Sequence, residues 1–121
     1  MPRPTLRRVD DSPTVPLAAG SYGAFKAALI HYAKGLSRQL VGKGIRVNAV
    51  SPGNTYFDGG IWQTIEKNMP DLYNSTLKVN PTGKFGTPAE VANGVVFISS
   101  PAASRISGTN LVIDGALTVA V

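Results

Sequence analysis

The 121-residue sequence contains no cysteine, which excludes a disulfide frame and any thiolate metal site. It has one histidine, His31, so a histidine-rich metal centre is excluded too. No apolar run approaches the roughly 18 residues of a membrane span. Arg3, Arg7 and Arg8 near the start are followed by no apolar stretch, so no secretory signal is read there. Asp10 and Asp11 argue equally against a transit peptide. The expectation is a cytoplasmic protein without a membrane partner. Acidic residues are scarce, 7 against 12 lysines and arginines, and the formal charge is +5. The basic residues, Arg46 among them, are scattered and read as solvated surface. They form no stripe interleaved with aromatics, so nucleic acid is not an expected partner. A mild positive bias also suits a phosphate-bearing ligand.

The apolar fraction is 43%, enough for one modest core. Pro2, Pro4, Pro13 and Pro16 break any period over residues 1–16, which read as an irregular lead-in. Residues 19–41 read as a long helix, with Tyr22, Lys26, Leu29, Ala33, Leu36 and Leu40 at three- and four-residue steps. Gly42, Lys43 and Gly44 suit its C-cap. Residues 45–51 form a valine- and isoleucine-rich strand that Pro52 and Gly53 stop. Residues 54–81 are the least regular, with short helices expected at 61–68 and 71–78. Thr87, Pro88 and Glu90 are the clearest helix start, a capping box with proline in the first turn. Val91, Val95 and Ile98 form the stripe of that helix, and 110–114 is the last strand. Strand, helix and strand in this order give an α/β fold with parallel strands.

The feature that carries chemistry is Tyr22 with Lys26, four residues apart near a helix start. Four steps rotate by about 400°, so phenol and ammonium share one face. A cation beside a phenol favours phenolate, and such a tyrosine can exchange a proton with an alcohol or carbonyl oxygen. His31 lies nine residues from Tyr22, on the opposite face, so a nucleophilic triad is not expected. The segment 82–86, TGKFG, has the wrong spacing for a dinucleotide or P-loop turn.

Four runs occur together: SYGAFKAAL at 21–29, GIRVNAVSPG at 44–53, GKFGTPAEVA at 83–92 and ISGTNLVIDG at 106–115. In order and spacing they resemble the short-chain dehydrogenase/reductase family of NAD(P)-dependent oxidoreductases. The resemblance implies the C-terminal part of a Rossmann-type doubly wound parallel sheet over residues 17–121. It implies hydride transfer between NAD or NADP and an alcohol/carbonyl pair, with Tyr22 as acid/base and Lys26 drawing it toward phenolate. Lys26 would also meet the nicotinamide ribose. Pro52, Gly53 and Thr55 would lie against the nicotinamide, although Phe57 stands where the family often has a threonine. Tyr56, Phe57, Ile61 and Trp62 fall in the family's substrate lid. They read either as contacts to an apolar substrate portion or as packing of the lid on the body.

The same resemblance implies what is absent. The family's chains run roughly twice this length, and their first half carries the glycine-rich turn for the pyrophosphate. Val9 stands where the family's catalytic serine lies, and Ser12 is proline-flanked. The isolated chain is therefore expected to be inactive. A rival reading is a non-catalytic module that docks on itself or on a full-length relative. It would use the helix from Tyr22 to Val41 and the last helix and strand. A homo-oligomer is the expected state.

Overall fold

The computed structural model describes residues 21–119. The irregular lead-in, the helix start at Ala19, Val9 and Ser12 lie outside the described residues. The element order is α1 (Ser21–Leu40), β1 (Ala49–Pro52), α2 (Ile61–Asn68), α3 (Pro70–Val79), α4 (Pro88–Ser99) and β2 (Asn110–Ile113). Single 3-10 turns follow α1 at Val41–Lys43 and α4 at Pro101–Ala103.

α1 contains no acidic residue and is built of good helix formers. It turns Gly23, Ala27, Ile30, Ala33 and Ser37 inward, and these mostly small side chains let it pack close to β1. Gly44 ends the helical run in a left-handed conformation, φ 76°, with its amide donating to Val41 O at 3.0 Å. Glycine takes that conformation at no steric cost.

β1 and β2 pair in parallel, Ala49 opposite Asn110 through Pro52 opposite Ile113. The strand is shorter than the expected 45–51, because side chains replace the ladder before Ala49. Val47 N donates to Ser107 Oγ at 3.2 Å. Asn48 reaches Ile106 O with its amide nitrogen, and its amide oxygen accepts from Thr109 N, both at 3.0 Å. Once the two chains are aligned in this way, backbone pairing takes over.

The capping box at α4 is present as the sequence predicts. Thr87 Oγ1 accepts from Glu90 N at 3.2 Å, and Glu90 Oε2 accepts from Thr87 N at 2.8 Å. Those bonds and the Lys84 ammonium hold the Glu90 carboxyl below its ordinary range. The inward stripe differs by one position from expectation. Val91, Gly94 and Ile98 face the sheet, whereas Val95 is exposed. Gly94 explains the shift, since a Cβ there would lie 2.3 Å from Ile113 Cδ1. The helix crosses β2 at its glycine. Pro70 ends α2 as expected and also opens α3, where its missing N–H costs nothing.

Arg46 corrects the reading of the basic residues as solvated surface. Its guanidinium donates to Ile98 O at 2.7 Å, Ile106 O at 3.0 Å and Ser100 O at 3.2 Å. It closes the end of α4, whose last carbonyls have no helical partners, and ties that end to β1. Arg46→Ala is expected to lower stability by about 2 kcal/mol, because the carbonyls lose charged donors in a half-buried place. Urea unfolding measures this, with Arg46→Lys recovering only part. Among the described residues the buried apolar side chains are few: Ile65, Phe85, Ile98 and Ala103.

Candidate active site

The predicted site residues fall into two groups. Tyr22 and Lys26 lie on the first turns of α1. Lys26 Nζ sits 5.5 Å from the centroid of the Tyr22 ring, so the shared face inferred from their spacing is realised as a cation over a phenol. Tyr22 is 64% exposed, and nothing among the described residues walls it off from solvent.

Pro52, Gly53 and Thr55 lie at the C-terminal end of β1, where open α/β sheets hold their ligands. Gly53 N donates to Ile113 O at 2.8 Å. A Cβ at Gly53 would stand 2.6 Å from Asp114 Cβ and 2.8 Å from Asp114 Cα. The side of Gly53 where a side chain would project is thus filled by Asp114, the residue after β2. Close packing against Asp114 is by itself a reason for glycine here, beside the approach of a nicotinamide that the resemblance implies. Thr55 Oγ1 donates to Gly53 O at 3.0 Å, which leaves its oxygen free to accept.

The 82–86 segment fixes this corner. Gly86 N donates to Asn54 O at 2.8 Å, and Tyr56 N donates to Gly86 O at 2.9 Å. Thr55 is thereby held beside Gly86 as a parallel bridge. The end of the segment at Gly86 therefore braces the chain that follows β1. A cavity of about 250 Å³ opens here, with Asn54, Lys84, Phe85, Glu90, Ile113 and Asp114 in its walls. The amide nitrogen of Asn54 is buried without a partner among the described residues. Burial pushes the Asp114 carboxyl up. Hydrogen bonds from the Thr118 hydroxyl and from the Thr118, Ala116 and Leu117 amides outweigh it and hold the group below the carboxylate range. This turn is therefore fastened at neutral pH and is released only as pH falls through the lowered value. No hydrogen bond among the described residues joins the Tyr22/Lys26 pair to the β1 end.

The lid residues divide. Trp62 packs on Phe85 with centroids 4.9 Å apart, and Phe85 meets Tyr73 edge-on at 5.1 Å. Tyr56 lies edge-on to Tyr73 at 6.3 Å and donates its hydroxyl to Glu66 Oε2 at 2.5 Å. The bond to Glu66 is the main reason that the Tyr56 hydroxyl is held above its ordinary range. Tyr56 and Trp62 therefore fasten the α2–α3 hairpin to the body. Phe57 and Ile61 remain exposed.

The described residues could meet the nicotinamide end of a dinucleotide through Lys26 and the Thr55 oxygen. They contain no strand-to-helix glycine turn for a pyrophosphate. They also hold no group of three or more His, Cys, Asp or Glu suited to a metal ion. No helix among them is long and apolar enough to cross a membrane.

Comparison with known proteins agrees with the geometry. A family model described as enoyl-(acyl carrier protein) reductase matches residues 11–118. Isoepoxydon dehydrogenase of Penicillium expansum is 43% identical over 99 residues, covering 82% of this chain and 38% of that protein. Galactitol 2-dehydrogenase (L-tagatose-forming) of Cereibacter sphaeroides is 36% identical over 105 residues, covering 86% and 40%. Among solved structures, a hydroxysteroid dehydrogenase from Escherichia coli superposes with a TM-score of 0.70 at 34% identity, covering 78% and 38%. A 4-hydroxyisoleucine dehydrogenase complexed with NADH gives a TM-score of 0.70 at 30% identity, covering 83% and 40%. The chain thus spans about two-fifths of the length of these relatives. With one family model running through nearly all of its residues and a Rossmann-type fold shared with these dehydrogenases, the chain belongs to the short-chain dehydrogenase/reductase family.

Proposed function

We propose that this chain supplies the acid/base portion of a nicotinamide-dependent oxidoreductase acting on an alcohol/carbonyl pair. The observation that carries the reading is the Lys26 ammonium 5.5 Å from the Tyr22 ring centroid, in a member of this family. In the oxidative direction the substrate hydroxyl gives its proton to the Tyr22 oxygen. Lys26 places a positive charge beside the Tyr22 ring during this transfer. When bound, a nicotinamide cofactor would supply the hydride chemistry at the alcohol/carbonyl carbon. The relatives named above are dehydrogenases of a polyol, a steroid and a hydroxy amino acid. The proposal is accordingly for the reaction class. The chain by itself is expected to have little turnover, since nothing in the described residues grips the pyrophosphate.

Calorimetric titration of the monodisperse chain with NADPH and then NADH tests the reading. Contacts to the nicotinamide end alone predict weak saturable binding, with Kd on the order of 1 mM, and Lys26→Met weakens it. Absence of saturable heat, or binding by Lys26→Met equal to wild type, overturns the assignment.

A second reading is supported by the outer face of α1. Tyr22, Phe25, Leu29 and Tyr32 repeat at three- and four-residue steps and are all largely exposed, Phe25 at 73%. An apolar stripe of that spacing suits packing against another helix. The chain would then dock on itself or on a full-length relative through α1, and Tyr22 would serve as a contact residue.

A further inference from the structure

The end of α1 and the loop that leads into β2 face each other across a cavity of about 430 Å³. Lys34, Ser37, Arg38 and Val41 stand at three- and four-residue steps, so the helical run turns one face to it. Ser104, Arg105 and Ser107 form the opposite wall. They precede β2, which begins at Asn110, and so lie at the end of the sheet away from Pro52 and Gly53. The cavity is thus distinct from the nicotinamide end of the candidate active site.

Three cations converge here, and nothing among the described residues neutralises them. The described carboxylates are Asp58, Glu66, Asp71, Glu90 and Asp114, and none borders the cavity. Lys84 with Glu90 is the only ion pair among the described residues. A cation in the last turn of a helix answers the partial negative charge of its C-terminal end, which accounts for Arg38. It does not account for Arg105, which comes from the facing loop. Like charges brought together from separate segments repel unless an anion lies between them. Lys34 is laid along the wall: a Cβ on Gly108 would lie 3.1 Å from Lys34 Cδ and 3.3 Å from its Nζ. The Gly108 amide donates to Val47 O at 2.7 Å, which fixes this turn. Ser107 Oγ accepts from Val47 N at 3.2 Å, and its own hydrogen is left to donate. The Ser37 hydroxyl, by contrast, is spent on Lys34 O at 2.7 Å.

We propose that this cavity binds the phosphate group of a small organic phosphate. A phosphate monoester carries close to two negative charges and three strong acceptor oxygens. Two guanidinium groups, an ammonium and the Ser107 hydroxyl match them. Val41 and the aliphatic stems of Lys34 and Arg38 offer apolar surface for the organic part. The inference is independent of any catalytic role for Tyr22 and Lys26.

Titration of the isotopically labelled chain with phenyl phosphate, followed by amide NMR shifts, tests it. The expected result is saturable shifts at Arg105, Ser107 and Gly108, with Kd on the order of 1 mM and little movement at Gly53 and Thr55. Inorganic phosphate moves the same amides with lower affinity. Arg105→Ala raises Kd about tenfold or more, the loss for a charged hydrogen bond. Arg105 is exposed, so its truncation is expected to leave the fold intact. Lys67→Ala, which removes the same charge from α2, leaves Kd unchanged. Absence of saturation overturns the proposal, whether the site is empty of affinity or already taken by Asp10 or Asp11. So do equal Kd values for Arg105→Ala and wild type. An equal loss in Lys67→Ala reduces the binding to diffuse charge attraction and overturns it too. Shifts centred on Gly53 and Thr55, or equal affinity for inorganic phosphate and phenyl phosphate, do the same.

Discussion

Tyr22→Phe is expected to lower turnover by about 10²–10⁴-fold, the range for removing a positioned acid/base, wherever this chain takes part in alcohol or ketone conversion. The substitution deletes one hydroxyl and keeps the ring, so the contact with Lys26 and the packing of α1 stay as they are. The loss should therefore fall on kcat, with KM and nicotinamide affinity nearly constant, as expected for an interaction made in the transition state. The measurement is steady-state oxidation of reduced nicotinamide with a carbonyl substrate, in any preparation of this chain that turns over. Retained turnover in Tyr22→Phe sinks the acid/base assignment. Tyr22→Phe also separates the two functional readings: sedimentation of a docking module is unchanged by loss of one hydroxyl.

Gly53→Ala is expected to destabilise the fold by about 3 kcal/mol, at the upper end for overpacking. The reason is the identity of the atoms in the way. The new methyl would lie 2.8 Å from Asp114 Cα, and a backbone atom directly after the ladder's last pair, Pro52 with Ile113, cannot swing aside as a side-chain tip can. The Gly53–Ile113 bond and the Asp114 turn would have to move together. For a domain of this size that is a fall of roughly 12–24 °C in melting midpoint. Circular dichroism on heating reads it out. Gly42→Ala is the control, since a Cβ there meets nothing within 4 Å, and its midpoint should hold or rise slightly. An unchanged midpoint for Gly53→Ala returns this glycine to the role suggested by the sequence, that of admitting a ligand.

These two positions also mark what the sequence could disclose. The Tyr22/Lys26 contact depends only on helical spacing, so it was legible from the chain, as was the Thr87–Glu90 capping box. Both are local, with partners within four residues. What escaped depends on distant partners. Arg46 looks like any surface arginine until Ile98, Ser100 and Ile106 are brought to it across more than 50 residues. Gly53 looks like a strand-ending glycine in either role until Asp114 is placed against it. The division of the lid residues was likewise hidden. Tyr56 and Trp62 differ from Phe57 and Ile61 only in having Tyr73, Glu66 and Phe85 within reach. The shortening of β1 followed from Ser107 and Asn48, whose side chains substitute for backbone bonds in a way no strand pattern records.

The pairing of β1 with β2 has a bearing on how the chain comes off the ribosome. Asn48 and Thr109, which align the two strands, are 61 residues apart. At a synthesis rate of about 5–20 residues per second, roughly 3–12 s separate the two halves of that contact. During this interval α1 and β1 have been made and β2 has not. A parallel pairing of such long range is also slow to close after release. The nascent chain thus passes through a window of seconds in which β1 waits for its β2 partner.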